Sequence, residues 1–327
     1  MKKIGILGIG IYEPPSRKYV DEVANSLSLK DKENIGVTSV FSEETLTGTE
    51  MAVIASKEAI KNSGIEPGDI DFIINTQSSL HDYLIWQVSA EVQHQLKATN
   101  AKFFDLYQGC SGFLTGLVVA KNLLIGDDDV KLILINTSEK WGISTRNRLV
   151  GKLFFGDAAV AVIVGENAKN HTILGYSMIC KGNLNDISRA RVGAVNHPKK
   201  SYPDQYYCYD YTNLEKGIRE MIPINISTFI KVGKEAIEKS GLSIKEITNI
   251  IFPGVGFGLF EKIVKKFDIP LEATNFRYVS ETGDCSTADA LFNYYKMLKE
   301  RIIKEGNNVL MFSQGAGATW IALVIKV

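Results

Sequence analysis

The residue in this chain whose surroundings point to chemistry is a cysteine. In the segment DLYQGCSGF (105–113), Cys110 lies among Gly109, Ser111 and Gly112. The run NAKFFDLY (100–107) reads as a strand, and SGFLTGLVVAKNLL (111–124) reads as a helix apolar on nearly every face, which predicts burial. A thiol on the turn between them sits at the positive end of a central helix, a position that lowers its pKa and favours the nucleophilic thiolate. The flanking glycines leave space in front of the sulfur, and Gly112 with Gly116 would let another backbone approach closely. A free cysteine is also at home as a small buried hydrophobe.

The elements that must position this residue occur twice. KEAIKNSGIEPGDIDFII (57–74) returns as KEAIEKSGLSIKEITNIIF (234–252), with Lys57 on Lys234, Gly64 on Gly241 and Ile74 on Ile251, without gaps. Each copy reads as a helix closed by a C-terminal glycine, a short loop and a buried strand. More loosely, Cys110 is followed by a helix and the strand VKLILINTS (130–138), and Cys285 by a helix and the strand NVLMFSQG (308–315). Strands alternating with helices predict an α/β protein whose sheets are covered on both faces. Two α/β halves are expected, 1–170 carrying Cys110 and 171–327. The stretch 181–222, rich in tyrosine and poor in periodic positions, reads as an inserted loop region lining a site.

Composition narrows the function classes. Lys plus Arg and Asp plus Glu number 37 each, so no overall field favours nucleic acid or an anionic membrane. The opening MKKIGILGIGIYEPP has a short apolar run and no cleavage pattern, and reads as a first buried strand rather than a signal peptide. The apolar run 153–165 holds Asp157 and is too short to cross a bilayer. The four cysteines show no CxxC spacing, so reduced thiols in the cytoplasm are expected, without metal or cofactor. A small-molecule or protein-borne substrate remains.

These segments together resemble the thiolase-like condensing enzymes, specifically the β-ketoacyl-acyl-carrier-protein synthase III group. DLYQGCSGFLTGL (105–117) is similar to the family's nucleophile segment, LFFGDAAVAVIVG (153–165) to its FGDGA segment, and GNNVLMFSQGAGATW (306–320) to its glycine-rich C-terminal strand. GAVNHP (193–198) and HDYL (81–84) match weaker patterns in the same order. The resemblance implies a five-layered αβαβα fold, usually in a homodimer. It also implies that Cys110 accepts an acyl group from a thioester, with the backbone N–H groups of Cys110 and Ala316 around the acyl oxygen. Attack on a thioester develops a negative oxygen that fixed amide donors stabilise. The family usually has glycine at the position of Ala316.

Two departures bear on the reaction. Where the family has a Pro-His pair, IFPGVGFGLF places Gly254, and none of the histidines (His81, His94, His171, His197) lies in that segment. Where the family has an Asn after a glycine, GDCSTAD places Asp284. In the family, His and Asn donate hydrogen bonds to the enolate left when malonyl loses carbon dioxide. Glycine has no side chain to donate, and an ionised Asp only accepts. At about 3 kcal/mol per donor, losing both impairs decarboxylative condensation. A carboxylate there can instead take a proton from an attacking hydroxyl or amine, which makes Asp284 a candidate general base. Asp in a Gly-Asp turn is also a common purely structural residue. His197 is a second possible base or a plain loop residue, Asp157 reads as a turn cap, and Glu139 as a buried hydrogen-bonding partner.

The resemblance implies an acyl-carrier protein or acyl-CoA as the donor. Family members that use coenzyme A carry a tryptophan in an early loop, and DKENIGVTSVF (31–41) has none. Arg146 and Arg148, with Lys152, would face the phosphates of a coenzyme or an acidic carrier, or form a solvated basic loop. The resemblance places Trp86 beside the substrate channel along with Leu84, Ile85 and Tyr107, and Gly254 at the substrate. Three readings follow: an acyltransferase that passes the acyl group from Cys110 to oxygen, nitrogen or carbon; a decarboxylating 3-oxoacyl synthase; and a non-catalytic subunit paired with an active ketosynthase. The assembly is then a homodimer or a heterodimer with another ketosynthase-like chain.

Overall fold

A nine-stranded sheet records the internal duplication directly. The computed structural model describes residues 2–23, 27–145, 147–190, 192, 194–195 and 208–327. In chain order the strands are β1 (Ile4–Tyr12), β2 (Phe72–Asn75), β3 (Lys102–Asp105), β4 (Leu132–Glu139), β5 (Ala158–Glu166), β6 (Thr172–Cys180), β7 (Asn249–Ile251), β8 (Asn308–Gly315) and β9 (Thr319–Lys326). They lie in the order β7-β8-β9-β6-β1-β5-β4-β2-β3. In the first half β1 pairs with β5 and β5 with β4, both antiparallel, and β4 pairs with β2 in parallel. The second half repeats this as β6 with β9, β9 with β8, and β8 with β7. The halves meet where Gly5 of β1 faces Thr172 of β6.

The repeated segments fold alike. Helix α1 (Gly48–Ser63) ends at Gly64 with φ 71°, and the helix Ile222–Lys239 is followed by Gly241 with the same φ. A capped 3-10 turn follows each, Pro67–Asp69 and Ile244–Glu246, and leads into β2 and β7. Gly at these points adopts the left-handed conformation that stops a helix without a Cβ penalty.

Four helices complete the layers. Helix α1 packs on strands of the first half only, whereas Ile222–Lys239, here α3, packs on β6, β8 and β9. Between them run α2 (Gly112–Gly126) and α4 (Asp289–Lys299), and α2 touches strands of both halves. The result is the thiolase-like αβαβα arrangement. The helical run Gly109–Gly126, α2 with the turn before it, is long and apolar enough to cross a membrane, but Phe113, Leu114, Leu117, Ala120 and Leu124 are buried in the central core. Its glycines permit that burial: a Cβ on Gly112 would come within 2.9 Å of the Thr76 carbonyl.

The expected first strand is β1, β3 and β8 lie within the runs read as strands, and β4 runs one residue past its own, to Glu139. One register differs. Cys110 is the middle residue of the turn Gly109–Ser111, while Cys285 precedes its own turn, Ser286–Ala288. The two thiols are therefore not equivalent positions of the duplicated unit, and Cys285 is fully buried. The inserted region, where described, forms a 3-10 turn (Gly182–Leu184) and a two-stranded ribbon of Ser188–Ala190 with Tyr209–Tyr211.

Candidate active site

Cys110 stands at the start of α2, in a 3-10 turn held from two sides. Gly109 has φ 53°, and a Cβ there would come within 2.8 Å of the Ala316 nitrogen. The Cys110 turn and the turn after β8 are thus in close contact, with the Ala316 N–H beside the former. Ala316 has no left-handed backbone angle, whereas Gly317 and Ala318 after it do, so its Cβ is tolerated where the family usually has glycine. Ser313 Oγ donates to the Cys110 carbonyl at 2.8 Å, and Ser111 Oγ donates to the Gln108 carbonyl at 2.7 Å.

Two cavities meet at the sulfur. The inner one, about 240 Å³, is lined by Leu153, Ile187, Leu259 and Phe312 together with Asp284 and Asp289. The outer one, about 470 Å³, is bounded by His81, Leu84, Ile85, Tyr107, Trp141 and Arg189. Cys110, Tyr209, Ala316 and Gly317 belong to both walls.

Asp284 lies buried on the wall of the inner cavity with Cys110. Its Oδ1 accepts from the Ser286 N–H at 2.6 Å, and its own N–H donates to the Phe154 carbonyl at 2.8 Å. Burial pushes its carboxyl up to about 6, despite the hydrogen bond from Ser286. Asp289 is buried beside it, accepting from the Gly254 N–H at 3.2 Å and from Asn293 Nδ2 at 3.0 Å. Burial, and then the neighbouring Asp284, push the Asp289 carboxyl well above the ordinary range.

The thiol departs from expectation. Burial first, then the Asp284 charge, raise the Cys110 pKa; a hydrogen bond from Ser286 opposes this and Glu139 adds to the rise. The helix terminus does not by itself produce a thiolate here, because burial, with the Asp284 and Glu139 charges added to it, outweighs it. Ser286 Oγ lies 3.0 Å from Cys110 Sγ, and Ser286 holds φ 57°, a left-handed conformation unusual for a residue with a Cβ.

Three expected positions fall elsewhere. Arg148 is buried in a two-pronged ion pair with Asp157, both contacts 2.7 Å, so it faces neither a coenzyme nor a carrier. The sequence signal misled because a basic loop and a buried pair read alike; the partner is nine residues away and appears only on folding. Trp86 lines neither cavity and packs instead against Tyr83 and the apolar cluster under α1. Trp141 is the tryptophan at the outer cavity. Gly254 contributes no wall between its neighbours Pro253 and Val255; a Cβ there would strike the Gly283 carbonyl. Arg146 and His197 lie outside the described residues. Leu84, Ile85 and Tyr107 do line the outer cavity, and Lys152 is exposed.

Glu139 is a buried hydrogen-bonding partner, as expected, accepting from the N–H groups of Ser78 and Ser79 at 3.0 and 2.9 Å and from the Thr287 hydroxyl. Sequence reading missed Ser286, Asp289, Ser78 and Arg189. The first two share the GDCSTAD segment with Asp284, so their proximity was available; Ser78 and Arg189 carried no local signal.

Comparison with known proteins now has a geometry to rest on. The family model described as 3-Oxoacyl-[acyl-carrier-protein (ACP)] synthase III matches residues 104–182, and its C-terminal companion matches residues 237–327. The chain is similar to Beta-ketoacyl-[acyl-carrier-protein] synthase III of Fusobacterium nucleatum, 26% identical over 100% of this chain and 99% of the relative. The enzyme of the same name from Aquifex aeolicus is 27% identical over 98% of each chain. The crystal structure of 3-oxoacyl-[acyl-carrier-protein] synthase III from Aquifex aeolicus VF5 superposes with a TM-score of 0.84 at 25% identity, covering 99% of this chain and 100% of that one.

Proposed function

The chain belongs to the 3-oxoacyl-(acyl-carrier-protein) synthase III family of thiolase-like condensing enzymes, and from that premise we propose that it is an acyltransferase that does not decarboxylate efficiently. It loads an acyl group from a carrier protein or coenzyme A onto Cys110 and passes it to an acceptor. The observation that carries this reading is the pair Gly254 and Asp284. Where the family draws enolate donors, this chain offers a glycine facing a carbonyl and a buried acceptor.

Loading begins with attack of the sulfur on the thioester carbonyl, with the N–H groups of Cys110 and Ala316 receiving the oxyanion. The carrier thiol then leaves. In the second half an acceptor hydroxyl or amine enters from the cavity, and Asp284 takes its proton as it attacks the acyl carbon. A carboxyl held near 6 is ionised at neutral pH yet basic enough for that task. The apolar inner cavity supports a short acyl chain. Action in the cytoplasm, as a dimer of like or unlike ketosynthase chains, completes this reading.

Intact-protein mass spectrometry tests this. Wild type and Cys110→Ala are incubated with acetyl, malonyl and longer acyl thioesters of coenzyme A and carrier protein. One acyl mass on the wild type alone, with malonyl retained intact, supports transfer. Acetyl on the protein after malonyl, or a 3-oxoacyl product, would return it to the condensing synthases. No adduct from any donor would favour the non-catalytic subunit.

A further inference from the structure

The proposed function leaves unanswered what removes the Cys110 proton, and an unbroken line of hydroxyls leads from the sulfur to a carboxylate outside the cavities. Ser286 Oγ is 3.0 Å from Cys110 Sγ, and Ser78 Oγ is 2.7 Å from Ser286 Oγ. Ser78 Oγ donates to Glu139 Oε1 at 3.1 Å. The four groups come from four separate segments, since Ser78 follows β2, Cys110 precedes α2, Glu139 ends β4 and Ser286 follows Asp284. We infer that Glu139 accepts the proton of Cys110 through Ser286 and Ser78, so that this relay supplies the thiolate. The inference rests on the reading of Cys110 as the nucleophile.

Each hydroxyl donates one hydrogen bond and accepts others, so the line runs in either direction. Ser286 Oγ is placed to donate to Cys110 Sγ; with the proton on sulfur its hydroxyl rotates, so that the thiol donates to Ser286, Ser286 to Ser78, and Ser78 to the Glu139 carboxylate. Transfer breaks the S–H bond as Ser286 Oγ takes that proton and gives its own to Ser78 Oγ, which gives its own to Glu139 Oε1. The sulfur electron pair is then free to attack, and every bond of the line points toward the thiolate. Reversal of the same steps reprotonates the sulfur when the acyl group has left. Thr287, which also donates to Glu139, lies 2.5 Å from Thr137 Oγ1, so its hydroxyl has a second partner when the carboxyl gains a proton.

The electrostatics favour a transfer over a simple loss. Releasing the proton to water would leave a buried thiolate beside the existing carboxylates; burial first, and then those charges, raise the thiol. Moving it to Glu139 leaves the net charge of the site unchanged. Burial brings the Glu139 carboxyl up to about 7, closer to a thiol than an exposed glutamate would be. The other titratable groups around the line are Asp284, Asp289, Cys285, Tyr107 and Tyr209, with Asp157 held in its ion pair with Arg148.

The test is the rate of iodoacetamide modification at Cys110, read by peptide mass spectrometry against pH, for wild type, Glu139→Gln, Ser78→Ala and Ser286→Ala. The relay predicts a wild-type rate that rises through about 7 and levels off. It also predicts that Glu139→Gln and Ser78→Ala each slow the reaction at neutral pH by about tenfold or more and lose the inflection. Ser78→Ala keeps the Glu139 charge, so a field effect of that charge, or titration of Asp284, would survive it. If Glu139 acted only as a charge, its removal would speed the reaction; a faster Glu139→Gln, or an unaltered Ser78→Ala profile, overturns the relay. Should Glu139→Gln fail to fold, the two serine variants carry the decision. Acyl-thioester loading is measured separately: no acyl adduct with an intact modification profile would remove the acyltransferase reading and leave the relay standing.

Discussion

Gly254 faces the Gly283 carbonyl so closely that a Cβ added at 254 would lie 2.2 Å from that oxygen. The same glycine donates its N–H to buried Asp289. The position is therefore not an empty slot awaiting a histidine, because the loop before Asp284 has closed over it. Gly254→His is expected to lower stability by about 1–3 kcal/mol or more through overpacking, without gaining malonyl decarboxylation. Denaturant unfolding and carbon dioxide release check the two halves of this expectation.

Asp284 ties activity to stability. Its folded pKa is raised from 3.8 to about 6, so the neutral form is favoured in the fold. That stabilising contribution is complete below the unfolded value and is lost as pH rises through about 6. Asp284→Asn is expected to match the wild type near pH 4 and to exceed it at pH 8 by about 2–3 kcal/mol. Its acyl-enzyme should form but discharge to the acceptor about a hundredfold more slowly. Unfolding curves at the two pH values and the lifetime of the adduct measure these effects.

The Arg148–Asp157 pair is structural. Asp157 also accepts from the backbone N–H groups of Glu43 and Trp141, at 2.9 and 2.7 Å, so it joins three segments near the cavities. Removing one buried partner strands the other charge, and Arg148→Ala is expected to cost about 3–5 kcal/mol. Preference between coenzyme A and carrier-protein donors should not change in whatever fraction remains folded. Thermal unfolding and a donor competition assay address this.

Chain-length preference should follow the inner cavity and not Trp86. Leu259→Ala enlarges the wall, and each added methylene admitted is worth about 1–3 kcal/mol of discrimination, or roughly 10–200-fold between neighbouring chains. Trp86→Ala removes a side chain that packs against Tyr83 and should lower stability while leaving the preference unchanged. Competition between acyl thioesters of graded length, read as adduct masses, separates the two variants.

The sequence by itself determined the duplicated α/β architecture, because Gly64 and Gly241 stop equivalent helices and the apolar periods around them specify equivalent strands. It also located Cys110 at the head of a buried helix, since a wholly apolar run flanked by glycines admits few other placements. Local pattern does not carry long-range pairing, and there the reading stopped. Arg148 seemed a free cation until folding brought Asp157 against it, and Trp86 seemed near the channel until packing turned it under α1. Only the tertiary structure set Ser78, Ser286 and Glu139 in line with the sulfur, and only it buried Asp284 and Asp289 together. Hydrogen bonding needs positions fixed to within a few tenths of an ångström, and buried charges depend on every neighbour. Both are properties of the packed core, assembled from segments far apart in the chain.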